Sequence, residues 1–364
     1  MILYQGLLRS SASWARVGRG YLKALLGLGA SVGAVASRGF RYDPEFAIPV
    51  GLREYTPSEA RGLADVDVGL GFLHPPYLDR LVGERRVNLF VWESDRVPES
   101  WVEQLDRGVD LVLVPSQFVR AGLVRSGFPG KRVGIVPYGY DAEFLAETEP
   151  PDCKERPFTF LAVLAPHYRK GIEELLSAYR EAFDRADAVQ LWIKTTYDPG
   201  DSRRRFPFEI PSWAETLTKY GLRDPDAALV TVESCTLSDE AVGSIFSRAD
   251  VVVQPSWGEA FGLVILEALA ASRPVVTTDW GGQTDFLPDG ADRMAYRLEP
   301  AGDRLYERVN GALVARPDVT ALAARMRWHF EHPEDSAEVG RGGRDLVAGW
   351  TWERAARRLI EVLT

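Results

Sequence analysis

Two carboxylates eight residues apart, Glu259 and Glu267, sit in the stretch from Pro255 to Gly282, PSWGEAFGLVILEALAASRPVVTTDWGG. A carboxylate can accept two hydroxyl hydrogen bonds, matching a ribose diol or a pair of adjacent sugar hydroxyls. On a regular helix this spacing is ~80° of rotation and about 12 Å of rise. The two acids would therefore contact an extended ligand at separate places. Phe261, Gly262 and Leu263 lie between them, where a loop runs into a helix expected from about Phe261 to Ala271. Free N–H groups and the positive dipole end favour an anion there, such as a diphosphate. Gly262 lets a ligand approach the backbone closely. A plainer reading stays open at this point: Glu259 complements the helix dipole and Glu267 is a solvated helix charge.

A second cluster, Pro166-His167-Tyr168-Arg169-Lys170-Gly171, follows an expected strand Phe158–Val163 and opens an expected helix Ile172–Phe183. Cations at a helix N-terminus oppose the macrodipole, so Arg169 and Lys170 imply an anion nearby. The alternative is a solvent-exposed pair on a surface loop. Lys194, at the end of another strand, is a third candidate cation. In the first half the candidates are Gly6, Arg9, Arg16 and the Gly18-Arg19-Gly20 triplet in the first strand-to-helix connection, with His74 and Glu93 after later strands. A lone histidine after a strand serves structure as readily as catalysis. His329 and His332 have a spacing that permits a metal, but no Cys or third His joins them, and solvation is the reading adopted. Asp65-Val66-Asp67 flanks a strand and is not taken as a metal motif. No metal is expected.

Alternating short apolar runs and amphipathic stretches are the pattern of βα units around parallel sheets. The first-half strands are expected at Val68–Leu73, Val87–Trp92, Leu111–Val114 and Val133–Val136, after an opening strand Ile2–Gly6 and a helix Tyr21–Leu28. The second-half strands are Phe158–Val163, Val189–Ile193, Leu229–Val232, Val251–Val253 and Val275–Thr277, with a helix at Ala241–Arg248. Val109–Ser116 and Ala249–Ser256 echo each other as strand, Pro-Ser, helix start. This puts Ser116 and Ser256 at carboxyl ends of strands, where α/β sheets bind ligands, although N-capping alone would also explain both serines. The fold class is thus α/β, with two doubly wound parallel-sheet domains. The boundaries are 1–150 and 151–348, with a linker at Glu147–Pro157 and a closing helix, 349–364, packing back across the boundary with Arg354, Arg357 and Arg358 on its polar side.

The 364 residues carry 46% hydrophobic and 26% charged residues, with Lys+Arg 43 against Asp+Glu 52 and a net charge of −9. That balance argues against a dedicated nucleic-acid binder. No apolar run reaches the ~18 residues of a membrane span. From Met1 to Tyr42 there is no acid, against Arg9, Arg16, Arg19, Lys23, Arg38 and Arg41, so this segment could face an anion. Ile2–Gly6 reads as a first strand rather than part of a targeting presequence. Cys153 and Cys235, far apart, suit a reducing cytoplasm.

These motifs resemble the retaining glycosyltransferases of the GT-B fold, family 4. The E-x7-E motif matches Glu259 to Glu267. Supporting matches are VPYGYD at Val136–Asp141, Arg169-Lys170-Gly171, GGQTDFL at Gly281–Leu287 and the aromatic closing helix. The resemblance implies two Rossmann-like domains facing a central cleft and a nucleotide-diphospho-sugar donor, UDP- or GDP-linked, with no cofactor. It implies a glycan, lipid-linked or small-molecule acceptor. Glu259 would hold the donor sugar, with Phe261-Gly262-Leu263 near the sugar and diphosphate. Glu267 would bind the ribose, Lys170 would neutralise the leaving diphosphate, His74 would sit beside the reacting sugar and Glu93 would face the acceptor. Leu164 and Ala165 stand where many relatives have Gly-Arg, which leaves Arg169 or His167 to supply the second cation. Ser272 replaces a customary Gly, a conservative change in size. The location implied is cytoplasmic, including the inner membrane face. The alternatives are a nucleotide-sugar 2-epimerase of the same fold and a degenerate transferase-like partner subunit.

Overall fold

A computed structural model describes residues 1–39, 42–143, 156–196, 209–287, 292–305 and 307–364. Cys153 and all but the last two residues of the expected linker Glu147–Pro157 lie outside them. The chain divides into two compact units, Met1–Asp141 with Gly349–Thr364, and Ala142–Ala348.

The first unit runs β1 (Ile2–Gly6), α1 (Ser13–Gly27), β2 (Val32–Ala36), β3 (Arg53–Glu54), α2 (Pro57–Arg61), β4 (Val68–Phe72), β5 (Arg85–Leu89), α3 (Glu99–Gly108), β6 (Leu111–Val114), α4 (Gln117–Arg125) and β7 (Val133–Ile135). Its sheet has the order β3-β2-β1-β4-β5-β6-β7, with every pairing parallel. A parallel sheet covered on both faces needs continuous apolar strands, and β4 and β6 are buried throughout. The ladder of β5 ends at Leu89, short of the expected Trp92. Phe90 and Trp92 are buried beyond it and pack on Trp101 of α3, while the Phe90 N–H still donates to the Leu113 carbonyl of β6 at 2.8 Å. α1 begins at Ser13, not Tyr21. Gly18 and Gly20 lower helix propensity and mask its first turns in the sequence. Packing explains both glycines: a Cβ at Gly18 would overlap the Tyr4 hydroxyl, and one at Gly20 would overlap the Trp352 ring.

The second unit contains β8 (Phe158–Val163), α5 (Ile172–Ala182), β9 (Val189–Thr195), α6 (Trp213–Lys219), β10 (Leu229–Ser234), α7 (Asp239–Phe246), β11 (Val251–Gln254), α8 (Leu263–Ala270), β12 (Val275–Thr278) and β13 (Arg293–Met294). These six strands form a parallel sheet, β10-β9-β8-β11-β12-β13. An antiparallel hairpin follows, β14 (Tyr296–Pro300) and β15 (Leu313–Pro317), which the sequence reading did not anticipate. Then come α9 (Val319–Glu331) and α10 (Pro333–Val347). Phe158, Phe160, Leu175, Tyr179, Leu191 and Met326 are among the residues of this unit's core.

The last helix, α11 (Trp352–Leu363), belongs to the first unit. Thr351 caps it by accepting from the Arg354 N–H. Ala355, Ala356 and Leu359 are its buried face, Trp352 meets Tyr21 of α1 edge-on at 5.3 Å, and Arg357 and Arg358 stay exposed. Thus the chain ends by crossing back to the fold in which it began.

Candidate active site

After β8 the chain makes a single 3₁₀ turn, Tyr168–Lys170, and Gly171 adopts φ +68° before α5 starts. A Cβ on Gly171 would overlap the carbonyl oxygen of Pro255, just past β11. Only glycine therefore allows the turn to press against the Ser256–Gly262 loop, and this contact assembles the site. Lys170 Nζ lies 2.6 Å from Glu259 Oε1, and Ser256 Oγ donates to the same oxygen at 2.7 Å. The Arg169 guanidinium donates to the Gly258 carbonyl at 2.5 Å and stands 3.8 Å from Glu259 Oε2.

The side chains of Glu259, Lys170 and Arg169 are 13%, 19% and 6% exposed, too enclosed for a solvated loop pair. Burial acts to raise the Glu259 pKa. The charges of Lys170 and Arg169 and the hydrogen bonds from Lys170 and Ser256 outweigh it and hold the carboxyl below its ordinary value.

The other side of the loop is fixed by glycines as well. The Gly282 N–H donates to the Glu259 carbonyl at 2.7 Å, and a Cβ at Gly282 would overlap the Ala260 carbonyl. α8 opens at Gly262, φ +91°, with no side-chain cap, so its first amides point out of the helix beside Glu259. Leu263 is half-buried, while Phe261 is buried with its ring 5.3 Å from Phe286. Glu267 is buried within α8, which excludes the solvated-charge reading. Arg169, Lys170, Ser256, Glu259 and Gly262 are thereby brought together. The echoed serines part ways: Ser116 caps α4 by accepting from Val119 N–H, whereas Ser256 hydrogen-bonds Glu259.

Several candidates do other work. Lys194 is buried and donates to the carbonyls of Thr195 and Cys235, at 2.8 and 2.5 Å, so its charge is committed to the backbone. His167 is buried beside Glu209 at 3.5 Å; burial chiefly, and the adjacent cations in part, pull its pKa below normal against the opposing effect of Glu209. His329 is fully buried between Ser336 and Asp292, contrary to the solvation expected, and only His332 is exposed.

In the first unit the room beside Gly6 is taken by the Tyr4 hydroxyl rather than left for a ligand. Arg19 is buried, donates to the carbonyls of Leu8 and Ser10, and lies 4.4 Å over the Phe46 ring. Arg9 pairs with Glu54 at 2.9 Å and Lys23 with Asp141 at 2.8 Å. Three of the cations in the acidless segment are therefore spent on holding this unit together. Arg16 is half-buried and Glu93 buried. His74 precedes the 3₁₀ turn Pro75–Arg80, with its ring 4.6 Å from Trp14 and 5.5 Å from Trp101; burial lowers its pKa.

The sequence reading missed Trp257. Its N–H donates to the Arg169 carbonyl, its own carbonyl accepts from Ala315 N–H of β15, and its indole N–H donates to buried Glu174 at 3.0 Å. Arg304 stacks on its ring at 3.6 Å, and Arg316 reaches Glu174 at 3.3 Å. Trp257 ties the cation turn, α5 and the hairpin to the Glu259 loop. No local pattern signals this, because Glu174 is 83 residues away in sequence.

The paired parallel-sheet units with a returning helix are the GT-B fold. Over its full length the chain superposes on Anabaena Alr3699/HepE, solved with UDP and glucose, at TM-score 0.72 and 15% identity, covering 98% of that chain. Residues 155–332 match the family profile described as glycosyl transferases group 1. Among curated relatives, the D-inositol 3-phosphate glycosyltransferase of Saccharomonospora viridis is 32% identical over 119 residues, 33% of this chain and 23% of that protein. The lipopolysaccharide 1,2-N-acetylglucosaminetransferase of Salmonella typhimurium is 24% identical over 264 residues, 69% of this chain and 61% of that protein. The chain therefore spans less than two thirds of the length of either curated relative.

Proposed function

We propose that this protein moves a sugar, with retention at the anomeric carbon, from a UDP- or GDP-sugar to a glycan, lipid-linked or small-molecule acceptor. The observation that carries this reading is the enclosed Lys170–Glu259–Ser256 contact beside the uncapped opening of α8. Transfer breaks the anomeric C–O bond, and negative charge grows on the departing diphosphate. Lys170, Arg169 and the first amides of α8 are fixed positive groups for that charge; removing one such donor from a preorganised site typically costs ~2.7–4 kcal/mol of transition-state stabilisation. Glu259 accepts hydrogen bonds from the donor-sugar hydroxyls, and Glu267 from the ribose diol. The fixed cations fill the role a divalent ion would take, so the reaction proceeds without one. The place of action is the cytoplasm, including the inner membrane face. Among the described residues no helix is long and apolar enough to cross a membrane.

A thermal-shift panel of UDP-, GDP-, ADP- and TDP-sugars tests donor binding, because a ligand specific to the native state raises apparent stability by mass action. Stabilisation by one nucleotide series is expected, and a flat response to all four refutes the donor site. Product anomeric configuration, read by NMR coupling constants, then tests retention; an inverted product overturns it.

A further inference from the structure

Between Pro300, the end of β14, and Leu313, the start of β15, an arm of the second unit carries a 3₁₀ turn, Gly302–Arg304. The arm is fixed on the unit below it. The Ala301 N–H donates to the Ala312 carbonyl at 2.9 Å, and Ala301, Leu305 and Ala312 are buried. From β15 the Ala315 N–H donates to the Trp257 carbonyl at 2.8 Å, which fastens the hairpin to the Glu259 loop.

This places Arg304 against both halves of the candidate site. Its guanidinium lies 3.6 Å over the Trp257 ring and 5.9 Å over the Tyr168 ring. Tyr168 immediately precedes Arg169, and Trp257 stands two residues before Glu259. Arg169 already depends on that loop twice. Its carbonyl accepts from the Trp257 N–H at 2.8 Å, and its guanidinium donates to the Gly258 carbonyl at 2.5 Å. Among the described residues Arg304 makes no ion pair, and Glu173, an acid whose charge it favours, is held by Lys219 at 2.7 Å and Tyr220 at 2.8 Å. Arg316, 5.7 Å from the Trp257 ring, is by contrast engaged by Glu174 at 3.3 Å and Glu299 at 3.7 Å. Glu174 also accepts the Trp257 indole N–H, so the ring is pinned at its edge by an acid and covered on its face by a cation. The ring quadrupole attracts that cation, and a planar guanidinium stacks where an ammonium does not.

We propose that Arg304 is a positioning residue for the donor diphosphate: by clasping Trp257 and Tyr168 it sets the Arg169 turn against the Glu259 loop, so that Arg169 and Lys170 meet the diphosphate preorganised. This role rests on the glycosyl-transfer reading and gives the arm between β14 and β15 a part in it. Without Arg304 the turn and the loop keep their hydrogen bonds but lose the common partner that holds them at one spacing. The two cations must then be ordered at each binding event, at a cost in affinity.

The test compares full-chain wild type, Arg304→Gln and Arg304→Lys. UDP and GDP are titrated by calorimetry, and uridine and guanosine by saturation-transfer NMR, at about 0.1 and about 0.5 M salt. Circular dichroism on the same samples reads folding. The wild type should bind one diphosphate. Arg304→Gln should bind it about tenfold more weakly while the matching nucleoside binds unchanged, because only the phosphate contacts are displaced. Arg304→Lys, which keeps the charge without the planar face, should stay several-fold weaker than wild type. Both ratios should survive in the higher salt, since a misplaced turn is not screened. Diphosphate affinity equal to wild type in Arg304→Gln overturns the positioning role. So does full recovery in Arg304→Lys, or a ratio that collapses in the higher salt, because either marks a long-range charge effect. Equal weakening of nucleoside and diphosphate overturns it as a general loss of structure. If Arg304→Gln is unfolded, Arg304→Lys alone decides. If the wild type binds neither UDP nor GDP, the glycosyl-transfer reading itself falls.

Discussion

Replacing Glu259 with Gln keeps the shape of the side chain and removes its charge. In the structure this carboxylate faces Lys170 at 2.6 Å and Arg169 at 3.8 Å, with side-chain exposures of 13%, 19% and 6%. At an effective dielectric of about 20, a pair of charges at that shorter separation attracts by roughly 6 kcal/mol before desolvation is deducted. Removing one member of a buried pair costs about 3–5 kcal/mol, mostly because the other charge is left behind. Residual exposure and the retained Ser256 hydrogen bond put Glu259→Gln near the lower end, about 3 kcal/mol at neutral pH. In a unit of this size that corresponds to a Tm roughly 6–12 °C lower.

The pH dependence makes the test specific. The folded-state pKa of Glu259 is depressed. Its stabilisation is therefore complete above the unfolded carboxyl value of about 4.3 and fades as pH falls through the lower folded value. Below both values a protonated Glu and a Gln are electrically alike, so the difference between wild type and variant should shrink toward zero. Denaturant unfolding of both proteins at steps from pH 7 to pH 3 measures that difference directly. A gap that stays constant over the whole range would refute the argument that the charge is what stabilises. Turnover at neutral pH should fall by about a hundredfold or more, since Lys170 and the donor sugar lose a shared partner.

Gly171→Ala should unfold more easily by about 2 kcal/mol or more and lose turnover, because it combines a left-handed backbone with overlap on the Pro255 carbonyl; chemical denaturation alongside activity checks both. Ser272 has φ +56° and is the one non-glycine residue with positive φ among those described. Its replacement of the customary Gly is therefore costly to the backbone although modest in size, and Ser272→Gly should raise stability by about 0.5–1 kcal/mol after the extra unfolded-state entropy of glycine is deducted; a lowered Tm would contradict this. Thr351→Ala should cost about 1 kcal/mol through loss of the α11 cap, seen as earlier unfolding of the first unit. EDTA should leave transfer unchanged if Lys170 and Arg169 carry the diphosphate charge, and abolition restored by Mg²⁺ would overturn that assignment.

Periodicity and strand-end logic set out much of this fold in advance. Continuous apolar runs such as Leu111–Val114 and Val251–Val253 can only be central strands of a covered parallel sheet, and they are. Glu259, Arg169, Lys170 and Gly262 could be singled out in advance because they lie in loops between a strand end and a helix start, although their contacts with one another could not. What stayed hidden depends on partners far off in the chain. Gly18 and Gly20 look like loop glycines until Tyr4 and Trp352 are seen in the space beside them. Arg19 looks like a ligand contact until its carbonyl acceptors are known. Short, polar β14 and β15 carry little signal because they pair with each other rather than joining the main sheet.

The amino-acid sequence alone determined that two parallel sheets form and which loops lie at their carboxyl ends, because hydrophobic periodicity and turn chemistry are local properties. Tertiary structure alone decided that Lys170 and Ser256 meet on one oxygen of Glu259, that Lys194 and Arg19 are spent on backbone carbonyls, and that Trp257 braces the site against Glu174. Each of those outcomes is a choice of partner. It is settled by which groups burial brings within hydrogen-bond reach, and segments separated by scores of residues leave no record of that in their spacing.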